Sequence, residues 1–176
     1  MNNQLRKIIN TAKNVLRSNT TNMTFGIIED GITVDALSVN QELINGSNQK
    51  FQQYVEFVQV VSGFSLGSIV LFEYPVIKDY QNLLDFQPDW ETNWLCVGKI
   101  MSEPLGINKM DGNVYWFSEI PYSDEGLCLG TFNEFLEEYV FGNKYSEIIP
   151  WVDEDDWYQF IIKHGLIFEG ENNDNE

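Results

Sequence analysis

The chain has 176 residues and a mass of 20.4 kDa, with 43% hydrophobic and 14% aromatic residues. That is apolar material enough for a packed core and too much for an intrinsically disordered chain. The formal charge is −17, with one histidine and two cysteines, which argues against a nucleic-acid binder, a disulfide scaffold and a histidine-rich metalloenzyme.

Leu5, Ile8, Ile9, Ala12, Val15 and Leu16 repeat at helical spacing, so the sequence predicts an amphipathic helix over about residues 3–17. Its polar face is expected to carry Arg6, Lys7, Lys13 and Arg17, and the polar stretch from Ser18 to Asn22 ends it. Thr24 to Ile28 and Ile32 to Leu37 flank Asp30-Gly31, which reads as a tight hairpin. Residues 38–48 read as a loop. Phe51 to Val61 reads as a helix, with Ser47 as an N-cap and Gly63 as a stop.

Ser68 to Phe72 has the composition of a short strand, and Val76 to Phe86 reads as a short helix or irregular chain. Trp94 to Ile100 is a strand. Asp111-Gly112 joins Leu105-Gly106-Ile107 to Asn113–Ser118 in a second hairpin. Val114 to Phe117 is apolar at every position, as a central strand covered on both faces would be. Phe132, Phe135, Leu136, Tyr139 and Val140 predict a helix opened by a Thr131/Glu134 capping box and closed at Gly142. A last helix follows Pro150, with Asp153 to Asp156 in its first turn and Trp157, Phe160 and Ile161 buried.

Helices at the ends and strands in the middle give an expected α+β fold, a mainly antiparallel sheet with helices packed around it. Residues 1–168 read as one domain, with the arrangement of 1–46 left open. The acidic tail 169–176 is expected to be disordered.

The charge is unevenly placed. Residues 1–28 hold four basic side chains and no acid, so all 27 carboxylates lie beyond them. Such a field repels phosphate backbones and favours basic partners. Plain solubility is the competing reading of the same charge. No apolar run approaches the length of a membrane span, and the first residues lack the apolar core of a signal peptide. Cys96 and Cys128 sit in apolar surroundings and in no CxxC, as reduced buried thiols do. The expected location is therefore cytoplasmic, with no membrane or nucleic-acid partner and a monomer or weak dimer as the assembly. The sequons at Asn19, Asn22 and Asn45 then have no role.

Three patterns invite chemistry. Gly63-Phe64-Ser65-Leu66-Gly67 fits the G-x-S-x-G of a nucleophile elbow, and His164 follows later in the chain. An elbow needs a strand before the serine and a helix after it, whereas a helix precedes here and a β-like run follows. A glycine-bounded turn between helix and strand is the better reading. His164 lies at the end of the last helix, where a cation suits the helix dipole. Asp153 to Asp156 lacks the glycine and glutamate of a calcium loop, with Tyr158 and His164 at those positions. No phosphate-cradling glycine motif occurs. No catalytic, cofactor or metal residue is assigned. The candidate partner-binding residues are Asp85, Asp89, Trp90, Glu91, Glu103, Asp124 and Glu125, carboxylates with an aromatic among them. Against this, tryptophans are more often core than interface.

Four stretches, in order, resemble the SUKH superfamily, which includes a fungal regulator of cell-wall synthesis and bacterial immunity proteins against polymorphic toxins. They are FQQYVEFVQVVSGFSLG (51–67) leading into SIVLF, NWLCVGKI (93–100), LGINKMDGNVYWF (105–117) and TFNEFLEEYVFGNKY (131–145). The likeness covers about residues 47–149. Asn48-Gln49-Lys50-Phe51 stands where the family has a proline-led helix start, and residues 1–46 match no pattern of the family. The resemblance implies a curved antiparallel sheet, with Trp94, Gly98, Gly112 and Tyr115 forming the fold. It also implies a non-enzymatic function, binding a protein toxin or another protein through the sheet and nearby loops. A regulatory module of the fungal kind is the alternative, and a hydrolase using Ser65 a lesser one.

Overall fold

The computed structural model describes residues 1–18, 26–45, 48–118 and 126–169. Its centre is an open seven-stranded sheet in which the strands follow one another in chain order, each antiparallel to the next. The strands are β1 (Gly26–Ile28), β2 (Phe64–Leu66), β3 (Ile69–Leu71), β4 (Trp94–Ile100), β5 (Glu103–Asn108), β6 (Asn113–Trp116) and β7 (Leu127–Thr131). With the helices below, this is the expected α+β fold on an antiparallel sheet.

Helix α1 (Asn3–Ser18) buries Leu5, Ile9, Ala12 and Leu16, a four-three-four spacing that makes one stripe. Lys13 departs from the expected solvent face. It is nearly buried, and its ammonium reaches the Glu29 carbonyl at 3.1 Å and the Asp30 carboxylate at 2.5 Å. Arg17 pairs with the same carboxylate at 2.9 Å. Asp30 thus neutralises part of the basic helix, and the two arginine and lysine contacts hold its carboxyl below the usual range, Lys13 foremost.

The hairpin expected at Asp30-Gly31 does not form. β1 pairs with β2, Ile27 opposite Ser65, and Asp35–Asn40 is a 3₁₀ turn rather than a strand. Gly31 serves a close approach instead: a Cβ there would lie 2.2 Å from the Gln59 carbonyl oxygen. Thr24 and Phe25 of the expected first arm lie outside the described residues, as does the expected N-cap Ser47. A short α2 (Gln41–Ile44) and α3 (Gln52–Val58) follow, and α3 buries Tyr54, Phe57 and Val58.

β4, not β6, is the middle of the sheet and is buried at six of its seven positions. β6 lies one strand from the edge, and its Tyr115 stays half-exposed. α4 (Trp90–Asn93) leads into β4. Thr131 and Glu134 form the expected capping box, with reciprocal bonds of 3.3 and 2.7 Å. α5 (Phe132–Glu134) then widens into a π-helical stretch, Phe135–Val140. α6 spans Tyr145–Ile148 and α7 spans Asp156–Lys163. Asp155 caps α7 by accepting from Tyr158 N at 3.0 Å. Asp153 and Glu154 belong to a 3₁₀ turn before it, so only part of the acidic run serves the helix start.

Side chains alternate across the strands, so the sheet has two interiors. Leu95, Ile107, Val114 and Leu129 join the helices in the large core. Trp94, Cys96 and Phe117 point the other way into a smaller cluster with Phe72 and Leu84. No helix among the described residues is long and apolar enough to cross a membrane.

Candidate protein interface

The smaller cluster exists because a strap crosses the sheet's second face. After β3 the chain runs as an eleven-residue 3₁₀ helix, Tyr74–Leu84, started by Pro75. Tyr74, Ile77 and Leu84 are buried beneath it. Its start is anchored twice: Asn40 donates to the Tyr74 carbonyl at 2.6 Å, and the Tyr74 hydroxyl donates to the Leu37 carbonyl at 2.8 Å. Its middle is anchored by Gln81, whose amide bonds both backbone groups of Cys96.

The strap buries one side and leaves the other apolar. Val76, Tyr80, Leu83 and Phe86 are exposed, Phe86 by 51%. Phe72 stacks under Tyr80 with centroids 3.9 Å apart, and Phe117 meets Phe86 edge-on at 5.4 Å. Around these side chains, residues 73–93 carry five carboxylates against one lysine. An exposed apolar stripe rimmed by charge is the usual form of a binding surface.

The predicted contact residues divide on the structure. Asp85, Asp89 and Glu91 are exposed on the segment that joins the strap to β4, and Trp90 is half-buried against the smaller cluster. Asp89 adopts a left-handed conformation, φ +53°, and its carbonyl accepts from Thr92 N and Asn93 N at 3.1 and 2.9 Å. It turns the chain as well as charging it. Glu103 opens β5 opposite Ile100, at the far end of the hairpin from the Trp94–Asn108 pair that adjoins α4. Five residue steps of strand separate those ends, roughly 17 Å. Glu103 therefore does not join the group around Trp90. Asp124 and Glu125 lie outside the described residues.

Sequence reasoning missed Gln81, Tyr80, Leu83 and Phe86. The signal was present: Val76, Ile77, Tyr80, Leu83, Leu84 and Phe86 are more apolar residues than one face of so short a segment can bury.

The remaining candidates do not assemble. Ser65 sits in the middle of β2 between Ile27 and Val70, and a turn and another strand follow it. The strand-to-helix elbow is absent there. The expected glycine-bounded turn from helix to strand also gives way, because Ser65 is inside a β-hairpin whose turn holds Gly67 at φ +56°. Ser65 and His164 line separate depressions. His164 caps the end of α7 as expected, with its ring 4.6 Å from that of Phe160.

The two thiols differ. Cys96 is buried, and desolvation pushes its pKa up to about 12. Cys128 is exposed, contrary to expectation: it lies opposite half-exposed Tyr115, on the other face of β7 from buried Leu129. Tyr115 donates to Asp111 at 2.7 Å, and that bond raises the phenol's pKa well above its ordinary value. No protein-family model matches the chain, and no curated protein matches it.

Proposed function

We propose that this chain is a non-enzymatic, cytoplasmic protein-binding module that neutralises a bacterial toxin by covering it. The observation that carries the reading is the strap: exposed Val76, Tyr80, Leu83 and Phe86 among five carboxylates, anchored to the sheet by Gln81. Apolar side chains supply contact area, and the carboxylates favour a basic partner and speed its approach. A nuclease toxin has a basic surface for phosphate, and such a surface complements this one. The ordered resemblance to SUKH immunity proteins supports the same reading.

The test is protection. The chain is co-expressed with each secreted nuclease toxin encoded in the same genome, and cell survival and the affinity of the purified pair are measured. The expected outcome is survival and a stable complex that weakens with salt. Cell death despite expression, with no complex between the purified proteins, would overturn the proposal.

A further inference from the structure

Beside the strap, the outer face of β1–β3 holds a depression of about 250 Å³. Ile27, Val70, Val76 and Tyr80 give it apolar walls, and Glu29 and Glu73 line it with carboxylates. Drug-sized ligands fill roughly 300–1,000 Å³, so this space suits a single large side chain. Gly63 brings the backbones of the two acids together. Glu29 N donates to the Gly63 carbonyl at 3.0 Å, and a Cβ on Gly63 would lie 2.8 Å from Glu73 N. Among the described residues, neither carboxylate has a hydrogen-bond or ion-pair partner. Tyr80 lies against Phe72 and remains 38% exposed.

An apolar slot with an aromatic wall and two unpaired carboxylates is complementary to a long aliphatic stem that ends in a cation. We infer that this depression is a specificity pocket for one arginine side chain of the protein partner, an inference that rests on the protein-binding reading above. Arginine fits better than lysine because its flat guanidinium stacks on a ring and offers a fork of donors to two carboxylates at once.

The test is a titration of the nitrogen-15-labelled full chain with N-acetyl-arginine amide, N-acetyl-lysine amide and N-acetyl-norleucine amide. The arginine probe is expected to give saturable amide shifts at Ile27, Ser65, Val70 and Tyr80, with a Kd on the order of millimolar for so small a ligand. The double variant Glu29→Gln/Glu73→Gln is expected to bind it roughly tenfold more weakly or worse. An unchanged thermal midpoint shows that the variant is folded. No saturable shift, an equal response to the lysine or norleucine probe, or full binding by the variant would overturn the inference. If the toxin still binds while the arginine probe does not, only the pocket assignment falls. If the probe binds while no toxin is held, the toxin reading falls and the pocket stands.

Discussion

The side-chain amide of Gln81 takes the place of a strand beside Cys96. Cys96 N donates to Gln81 Oε1 at 2.9 Å, and Gln81 Nε2 donates to the Cys96 carbonyl at 3.0 Å. β3 pairs with β4 only as far as Leu71 opposite Gly98, with one further bond from Phe72 N to the Val97 carbonyl. Beyond that point the edge of β4 is buried and has no neighbouring strand on that side. Gln81 supplies both missing partners, and a third bond, to the Ile77 carbonyl at 2.8 Å, fixes its own side chain.

Replacing Gln81 with leucine keeps the bulk and removes the bonds. Buried backbone groups left unmet cost about 1–3 kcal/mol each, so Gln81→Leu, which orphans two, is expected to lower stability by about 2–6 kcal/mol. Urea unfolding checks the value, and hydrogen exchange checks the place: amides of residues 74–86 should lose protection before those of β5. Gln81→Glu retains the acceptor but sets an oxygen against the Cys96 carbonyl, and it should cost at least as much.

Gly98 of β4 sits against the β3 backbone with no room for a side chain. A Cβ there would lie 2.1 Å from the Val70 carbonyl oxygen, which is itself held in the sheet. Gly98→Ala is expected to cost more than about 3 kcal/mol, in the range of severe overpacking. Gly165→Ala is the comparison. Nothing approaches its Cβ within 4 Å, and only its φ of +61° opposes a side chain, for about 1–2 kcal/mol. Thermal unfolding of the two variants should rank them in that order.

How far the sequence could be read follows from how local the causes were. The capping box at Thr131 and Glu134 and strand β4 rest on neighbouring residues, and both stand where the pattern put them. The Asp30-Gly31 hairpin failed because a distant segment decides it: β2 takes β1, and Gly31 packs on the end of α3. Turn propensity carries no information about that competition. The group Asp85, Asp89, Trp90 and Glu91 was legible because those residues are neighbours in the chain. Glu103 was not separable from them in sequence, since its distance depends on the direction of β5. Gln81 was invisible because one glutamine among apolar and polar neighbours gives no sign that a strand edge awaits it.

Thiol chemistry should distinguish the cysteines. Burial pushes the Cys96 thiol up to about 12, so it has almost no thiolate at neutral pH and no access to reagent. Cys128 is exposed. Ellman's reagent is expected to release one equivalent from the native chain and two after denaturation, with Cys128→Ser abolishing the native signal. Rapid release of two equivalents from the folded protein would contradict the placement of the strap over Cys96.

Acid should act on Glu134 and Glu137 in opposite directions. The Thr131 backbone N–H, and then its hydroxyl, hold Glu134 below the ordinary carboxylate range. Its contribution is therefore complete above the unfolded pKa, about 4.3, and is lost as pH falls from there through the folded value. Burial raises Glu137, with the Glu134 charge adding to it, so its ionisation opposes folding and protonation relieves the strain. Glu134→Gln keeps the cap but not the charge. It is expected to cost up to about 1 kcal/mol at pH 7, or about 2–4 °C in Tm. That deficit should shrink as pH falls from about 4.3 toward the lower folded value and vanish below it. Tm profiles from pH 3 to 7 give the comparison.

If the strap holds the partner, its charges and its apolar side chains should act on different rate constants. Asp85 and Glu91 are exposed at the rim, where a charge steers approach and is screened after contact. Asp85→Lys with Glu91→Lys is expected to slow association several-fold at low salt, to flatten the salt dependence and to leave dissociation nearly unchanged. Leu83 and Phe86 are apolar and exposed beside them, so their truncation removes contact area. Leu83→Ala or Phe86→Ala should speed dissociation by about tenfold or more, which is about 1.4 kcal/mol or more, with little effect on approach. Surface plasmon resonance on the immobilised toxin separates the two constants. A Glu103→Lys variant, charged alike but at the other end of β5, is the control that should change neither rate by more than the general field does. Equal loss from Glu103→Lys and from the strap variants would move the binding surface away from residues 73–93 and toward the whole acidic face.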